Sequence, residues 1–229
     1  MSVSENFKAV QDRIAAAAKR AGRDPSAIRL VTVTKTVDLG RIREATGAGA
    51  LVLGENRVQE AKEKIEALGR IASWHLIGHL QTNKAKYAVK LFDLIHSVDN
   101  LELAKEIDKQ AAKNGKVQDV LIEVSIAGEA AKAGVSTGDT VRLVREAAGL
   151  KHIRVLGLMT MPPLSNDPED SRPYFRQLRD LAGAVRKEGI DGILMNELSM
   201  GMSGDFEVAI EEGATLVRVG SAIFGERNT

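Results

Sequence analysis

The stretch LVTVTKTVDLGRIREATGAGALVLGEN, residues 30–56, contains the unit from which most of the chain is built. Leu30-Val31-Thr32-Val33-Thr34 is apolar or β-branched at every position, as a strand covered on both faces must be. A polar turn follows at Lys35, then a helical stretch, then glycines and a second apolar run at Ala50–Leu53. Further strand candidates are Trp74–Ile77, Leu94–Val98, Val120–Ser125, Val155–Met159, Gly192–Met195 with some extension, and Leu216–Val219, eight in all. Between them, Asp99 with Glu102 and Ser136 with Asp139 read as capping boxes, and Gly69, Gly115, Gly149, Gly189 and Gly213 stand where helices should end. Strands alternating with helices imply βαβ units and a parallel sheet. Eight such units predict an α/β fold closed into a (β/α)8 TIM barrel. A doubly wound open sheet is the alternative, but its dinucleotide-binding form lacks a Gly-x-Gly-x-x-Gly turn after the first strand.

Ahead of the barrel, Val3, Phe7, Val10, Ile14, Ala17 and Ala21 recur at helical spacing, with Ser2 and Glu5 as a capping box. An extra N-terminal helix over residues 3–21 is expected, and the chain 1–229 reads as one barrel domain. The segment Met161–Pro173 holds four of the five prolines and reads as a long loop after the sixth strand. No apolar stretch approaches the roughly 20 residues of a membrane-spanning helix, and Glu5 and Asp12 argue against a transit peptide. A soluble, cytoplasmic protein is expected.

Composition narrows the chemistry. The 229 residues carry 32 Lys+Arg against 31 Asp+Glu, and aromatics make up only 3%. A near-neutral surface with few stacking side chains argues against a nucleic-acid partner. With no cysteine, thiol nucleophiles, disulfides and thiolate metal sites are excluded. Metal ligation is not expected from the histidines either. His75 and His79 are four apart, but Trp74–Ile77 reads as a strand, so they do not share a helix face. His96 and His152 show no evident cluster, and His79 is a mouth residue of undefined role.

In a parallel barrel the functional positions lie just past the strand C-termini. Here these include Lys35, Gly54-Glu55-Asn56, Gly78-His79, Met159-Thr160, the run Ser199–Gly204 and Gly220-Ser221. Lys35 is either a solvated strand end or, if desolvated, an amine able to form a Schiff base with an aldehyde. The small residues after the seventh and eighth strands either make tight turns or bring backbone N–H groups to a phosphate. Period-two alternation puts Leu216, Arg218 and Gly220 on one face. If that face is the interior, a buried guanidinium requires an acceptor; if not, Arg218 lies under the helical ring.

Seven blocks, in order along nearly the whole chain, resemble one family. They are Thr32–Thr36, Gly54–Glu60, Trp74–Lys84, His96–Asp99, Gly157–Pro162, Leu198–Ser203 and Arg218–Gly225. The chain is similar to the YggS-type, PROSC-like pyridoxal phosphate homeostasis proteins, whose fold is that of the alanine racemase N-terminal domain. The resemblance implies that Lys35 holds pyridoxal 5′-phosphate as a Schiff base. It further implies that Ser199, Gly220 and Ser221, with backbone amides around Met200 and Gly201, bind the phosphate. Arg218 would face the pyridine nitrogen, Asn56 would lie near the ring, and Met159 would be a contact at the mouth. Val37-Asp38 stands where many relatives have Lys-Pro.

A fixed cation beside the pyridine nitrogen opposes its protonation and weakens the ring as a carbanion sink. Holding and handing over the cofactor is therefore expected ahead of efficient catalysis. The implied role is cofactor and amino-acid/keto-acid homeostasis, as a monomer, with pyridoxal-phosphate-dependent apoenzymes as acceptors. A racemase-type enzyme is the alternative, disfavoured here because the chain ends soon after its eighth strand. A Schiff-base barrel aldolase is the more distant one.

Overall fold

Side chains alternate along a strand, so each short apolar run offers one face to the barrel axis and one to the helices. In the computed structural model, which describes residues 1–127 and 133–226, nine strands form. They are β1 (Arg29–Val33), β2 (Val52–Glu55), β3 (Ser73–Leu76), β4 (Leu94–Val98), β5 (Gln118–Ser125), β6 (Val135–Ser136), β7 (Ile153–Met159), β8 (Glu197–Ser199) and β9 (Leu216–Val219). Neighbours run in the order β4-β3-β2-β1-β9-β8-β7-β5, and a β4–β5 pairing with Ile95 opposite Val120 closes the ring. Every pairing is parallel. The expected eight-stranded barrel is present, and β6 is a two-residue addition that sets Val135 beside Val124 of β5.

Two apolar layers follow from this closure. Val31, Val33, Ile77, Leu94, Leu121, Met159 and Leu216 pack together inside the barrel. Outside it, residues such as Trp74, Ile95, Val120 and Leu158 meet the helices. These are α1 (Val3–Arg20), α2 (Leu39–Gly47), α3 (Val58–Leu68), α4 (Ala85–Leu91), α5 (Leu101–Lys113), α6 (Thr140–Ala148), α7 (Arg172–Lys187), α8 (Phe206–Glu211) and α9 (Ser221–Phe224). Helix α1 opens with both hydrogen bonds of the Ser2–Glu5 capping box and buries Val3, Phe7, Val10, Ile14 and Ala17. It lies against α2, α8 and α9. Among the described residues no helix is long and apolar enough to cross a membrane.

The structure corrects several local expectations. The seventh barrel strand is Glu197–Ser199, not Gly192–Met195. Gly192 (φ +83°) and Met195 (φ +47°) are left-handed, which breaks the strand, although Leu194 and Asn196 still donate to the carbonyls of Val155 and Leu156. The second strand begins two residues later than the apolar run suggests and includes Glu55. The proline-rich segment is a loop only in its first half. Pro168–Ser171 forms a 3-10 turn, and Pro173 sits in the first turn of α7, where its missing N–H costs no helical hydrogen bond. Helix α5 is capped by Asn100, which accepts from Leu103 N–H, and not by Asp99. Ser136 and Asp139 bond each other one turn ahead of α6 instead of capping it.

Candidate functional site

The C-terminal ends of the strands surround a cavity of about 730 Å³ whose wall includes Lys35, Asn56, Arg218, Gly220 and Ser221. Residues distributed from β1 to β9 are thus brought to one place. The cavity is lined further by His79 and by Ser203 and Gly204 of the loop after β8.

Lys35 is partly buried, and its backbone neighbours are tied to α3 on both sides. The Thr34 carbonyl accepts from Lys64 Nζ at 2.5 Å, and Thr36 N–H donates to Glu60 Oε1 at 2.5 Å. Lys64 also bonds Glu55 and Glu60, each at 2.7 Å, while the Thr34 hydroxyl donates to Glu55 at 2.6 Å. Glu55 is fully buried, and that burial pushes its carboxyl up, with the Lys64 and Thr34 hydrogen bonds acting against it. Thr36 is held at φ +61°, a left-handed conformation that β-branched residues rarely adopt and that surrounding contacts must enforce. The sequence reading quoted Glu55 and Glu60 within a motif but missed Lys64. The signal was the i,i+4 spacing of Glu60 and Lys64 on α3.

Arg218 faces the interior, which settles the alternative that alternation left open. It is 3% exposed; Nη1 donates to Ser199 Oγ at 2.5 Å and Nη2 to the Thr160 carbonyl at 2.9 Å. Burial draws the guanidinium down to about 10, against the pull of Glu123 and Asp205, so it remains a cation at neutral pH. Ser199 Oγ also lies 2.9 Å from His96 Nδ1, and His96 Nε2 lies 3.0 Å from His75 Nδ1. His96 therefore has a histidine partner that the sequence did not reveal. Burial brings His75 down to about 3 and His96 well below its ordinary value, so both imidazoles are neutral. Among the described residues no group of three or more acidic, histidine or cysteine side chains is placed to hold a metal ion.

Glu123 of β5 is a further buried group that the sequence reading missed. Burial pushes its carboxyl up to about 7; the charge of Asp99 adds to this and that of Arg218 opposes it. The folded protein therefore keeps a proton between pH 4.5 and about 7 that the unfolded chain releases, and stability falls as pH rises through that window. Glu123→Gln removes this dependence. Urea unfolding should find the variant gaining about 3 kcal/mol on the wild type between pH 4.5 and pH 8. Parallel pH profiles for the two proteins contradict the burial argument.

The remaining predicted residues do not reach the cavity wall. Met159 belongs to the apolar layer inside the barrel and Met200 to the outer core. Gly201 is a backbone element: at φ +88°, with a Cβ position 2.5 Å from Ala209 Cβ, only glycine fits, and its carbonyl accepts from Arg218 N–H. Ser199 is fully buried and engaged with Arg218 and His96. The serine that the loop presents to the cavity is Ser203. Its hydroxyl accepts from the N–H groups of Gly220 at 3.2 Å and Ala222 at 3.4 Å, joining the last two strand loops. The N–H groups of Ser203, Gly204 and Ser221 make no hydrogen bond among the described residues. Helices α8 and α9, of six and four residues, add little dipole, so an anion here would depend on these amides.

Comparison with known proteins places this geometry. The family profile of the alanine racemase N-terminal domain matches residues 6–228. A pyridoxal phosphate homeostasis protein of Aquifex aeolicus (strain VF5) is 50% identical over 228 residues, covering 99% of each chain. The crystal structure of an unknown protein from Bifidobacterium adolescentis superposes with a TM-score of 0.92 at 39% identity, over 97% of this chain and 94% of that one. PipY of Synechococcus elongatus PCC7942, solved with PLP bound, superposes with a TM-score of 0.82 at 36% identity, over 93% and 100% of the two chains. The chain belongs to the alanine racemase N-terminal domain family, and within it to the pyridoxal phosphate homeostasis proteins.

Proposed function

We propose that the protein binds pyridoxal 5′-phosphate through Lys35 and serves to hold and hand over this cofactor. The observation that carries the reading is that one cavity wall contains a partly buried lysine, a buried arginine and two joined loops whose Ser203, Gly204 and Ser221 N–H groups have no hydrogen-bond partner among the described residues. These features fit the ligand's aldehyde, ring and phosphate in turn. When bound, the cofactor supplies an aldehyde that condenses reversibly with amines.

The roles within the chain follow from its geometry. Lys64 and Glu60 fix the backbone on either side of Lys35. The amides of Ser203, Gly204 and Ser221 receive the phosphate, with Gly220 and the Ser203 hydroxyl shaping the loop. Asn56, on the same cavity wall, would lie beside the ring. Arg218 would put a fixed positive charge at the ring nitrogen and oppose its protonation, which would favour holding over chemistry at a substrate's Cα. Asp205 Oδ1 accepts from Met202 N–H and Oδ2 from the Ser171 hydroxyl, which ties that carboxylate into the loop after β8. We read the protein as a cytoplasmic monomer with pyridoxal-phosphate-dependent apoenzymes as acceptors.

The test is the absorbance of protein incubated with pyridoxal phosphate, before and after borohydride. Wild type should take up a visible chromophore that reduction fixes, and Lys35→Ala should retain none after dialysis. No chromophore on the wild type, or fixation undiminished in the variant, contradicts the proposal.

A further inference from the structure

Arg218, Ser199, His96 and His75 form a hydrogen-bonded line across the barrel interior, and one chemical fact sets the direction of every hydrogen in it. A guanidinium can only donate. Arg218 Nη1 donates to Ser199 Oγ at 2.5 Å, so the single hydroxyl hydrogen of Ser199 is directed to its other neighbour, His96 Nδ1, at 2.9 Å. That nitrogen must be unprotonated. A neutral imidazole with a bare Nδ1 carries its proton on Nε2, and His96 Nε2 faces His75 Nδ1 at 3.0 Å. His75 Nδ1 is then also bare, with its proton on Nε2. The opposite order would leave the Ser199 hydrogen buried without an acceptor among the described residues, an arrangement that burial penalises.

We propose that His96 and His75 are positioning residues whose single tautomers, transmitted through Ser199, hold the Arg218 guanidinium in one orientation against the cavity. Ser199, donating to His96, becomes a stronger acceptor for Arg218, because hydrogen bonds in a chain polarise one another. With Nη2 on the Thr160 carbonyl, the guanidinium has two separate anchors, and among the described residues its other N–H groups have no partner and remain for the cavity that it lines. The charges around the line are Glu123 and Asp205 near Arg218, and Arg29 and Asp93 near His75. None of them makes a hydrogen bond to Ser199 or His96. This inference rests on the proposed function only in giving Arg218 a cofactor to face.

Nitrogen-15 NMR of the ligand-free protein tests it. The wild type should show His75 and His96 as Nε2–H tautomers with bare Nδ1 nitrogens, and separate Arg218 Nη1 and Nη2 signals from a guanidinium that does not rotate. Ser199→Thr, which keeps the hydroxyl, should preserve both signatures. Ser199→Ala and His96→Leu, each checked for folding by circular dichroism, should lose the separation of the Nη signals. An Nδ1-protonated His96 or His75 in the wild type overturns the relay, and Nη signals unchanged in Ser199→Ala and His96→Leu overturn its positioning role. Should both NMR signatures be found in a wild type that binds no pyridoxal phosphate, the cofactor reading fails and the positioning of Arg218 stands.

Discussion

Gly157→Ala is expected to lower stability by about 4 kcal/mol or more, which for a chain of this size is a fall in Tm of roughly 10 °C or more. A Cβ on Gly157 would lie 1.8 Å from the Glu197 carbonyl oxygen and 2.6 Å from its carbon. Both atoms belong to backbone, so no rotamer change relieves the overlap. β7 and β8 must separate, and their register pairs Gly157 with Glu197, Leu158 with Leu198 and Met159 with Ser199. The movement would carry Ser199 away from Arg218, so the damage reaches the cavity as well as the sheet. Thermal unfolding of the ligand-free variant is the measurement. A Tm within two or three degrees of the wild type contradicts the close approach of these strands.

Lys64→Met should be nearly as severe, at about 3–5 kcal/mol, because it leaves the buried Glu55 carboxyl without its cation, either charged and unpaired or neutralised at the expense of taking up a proton. Lys64 is 6% exposed, and its ammonium joins Glu55, Glu60 and the Thr34 carbonyl. Removing both partners is a different matter, since an apolar pair can replace a buried ion pair at little cost. The double variant Lys64→Met with Glu55→Leu should therefore recover most of the lost stability. It should not recover the site. Without Lys64 the Thr34 carbonyl is released, and Glu60, which holds the Thr36 N–H, loses the ammonium that positions it, so uptake of pyridoxal phosphate at Lys35 should remain impaired. Urea unfolding of the single and double variants, beside the rate of cofactor uptake, separates the two effects. Full uptake by the double variant contradicts the clamp on Lys35.

The barrel was legible because its strands are covered on both faces, and runs such as Leu30–Thr34 announce this one residue at a time. The exception is instructive. Gly192–Met195 has strand composition, yet the left-handed backbone at Met195 moves the paired segment to Glu197–Ser199. Nothing in the identity of a methionine signals that conformation. Lys35, Arg218, Gly220 and Ser221 were legible because strand ends map onto the barrel mouth. Ser199 and Ser203 stand four residues apart in one loop, and composition gave no means of telling which enters the barrel and which meets the cavity. The difference is that Ser199 is the last residue of β8. The His75–His96 contact joins adjacent strands across 21 residues of sequence, so it exists only once the register of β3 on β4 is set. Lys64 and Glu123 look like ordinary helix and strand charges until their burial is known.

The central claim is that Lys35 is the residue that carries the cofactor. Wild-type protein loaded with pyridoxal phosphate, reduced with borohydride, digested and mapped by mass spectrometry tests it most directly. The account predicts a pyridoxyl group on the peptide containing Lys35, and on no other lysine at comparable occupancy. A label spread over surface lysines, or absent from Lys35, would contradict it.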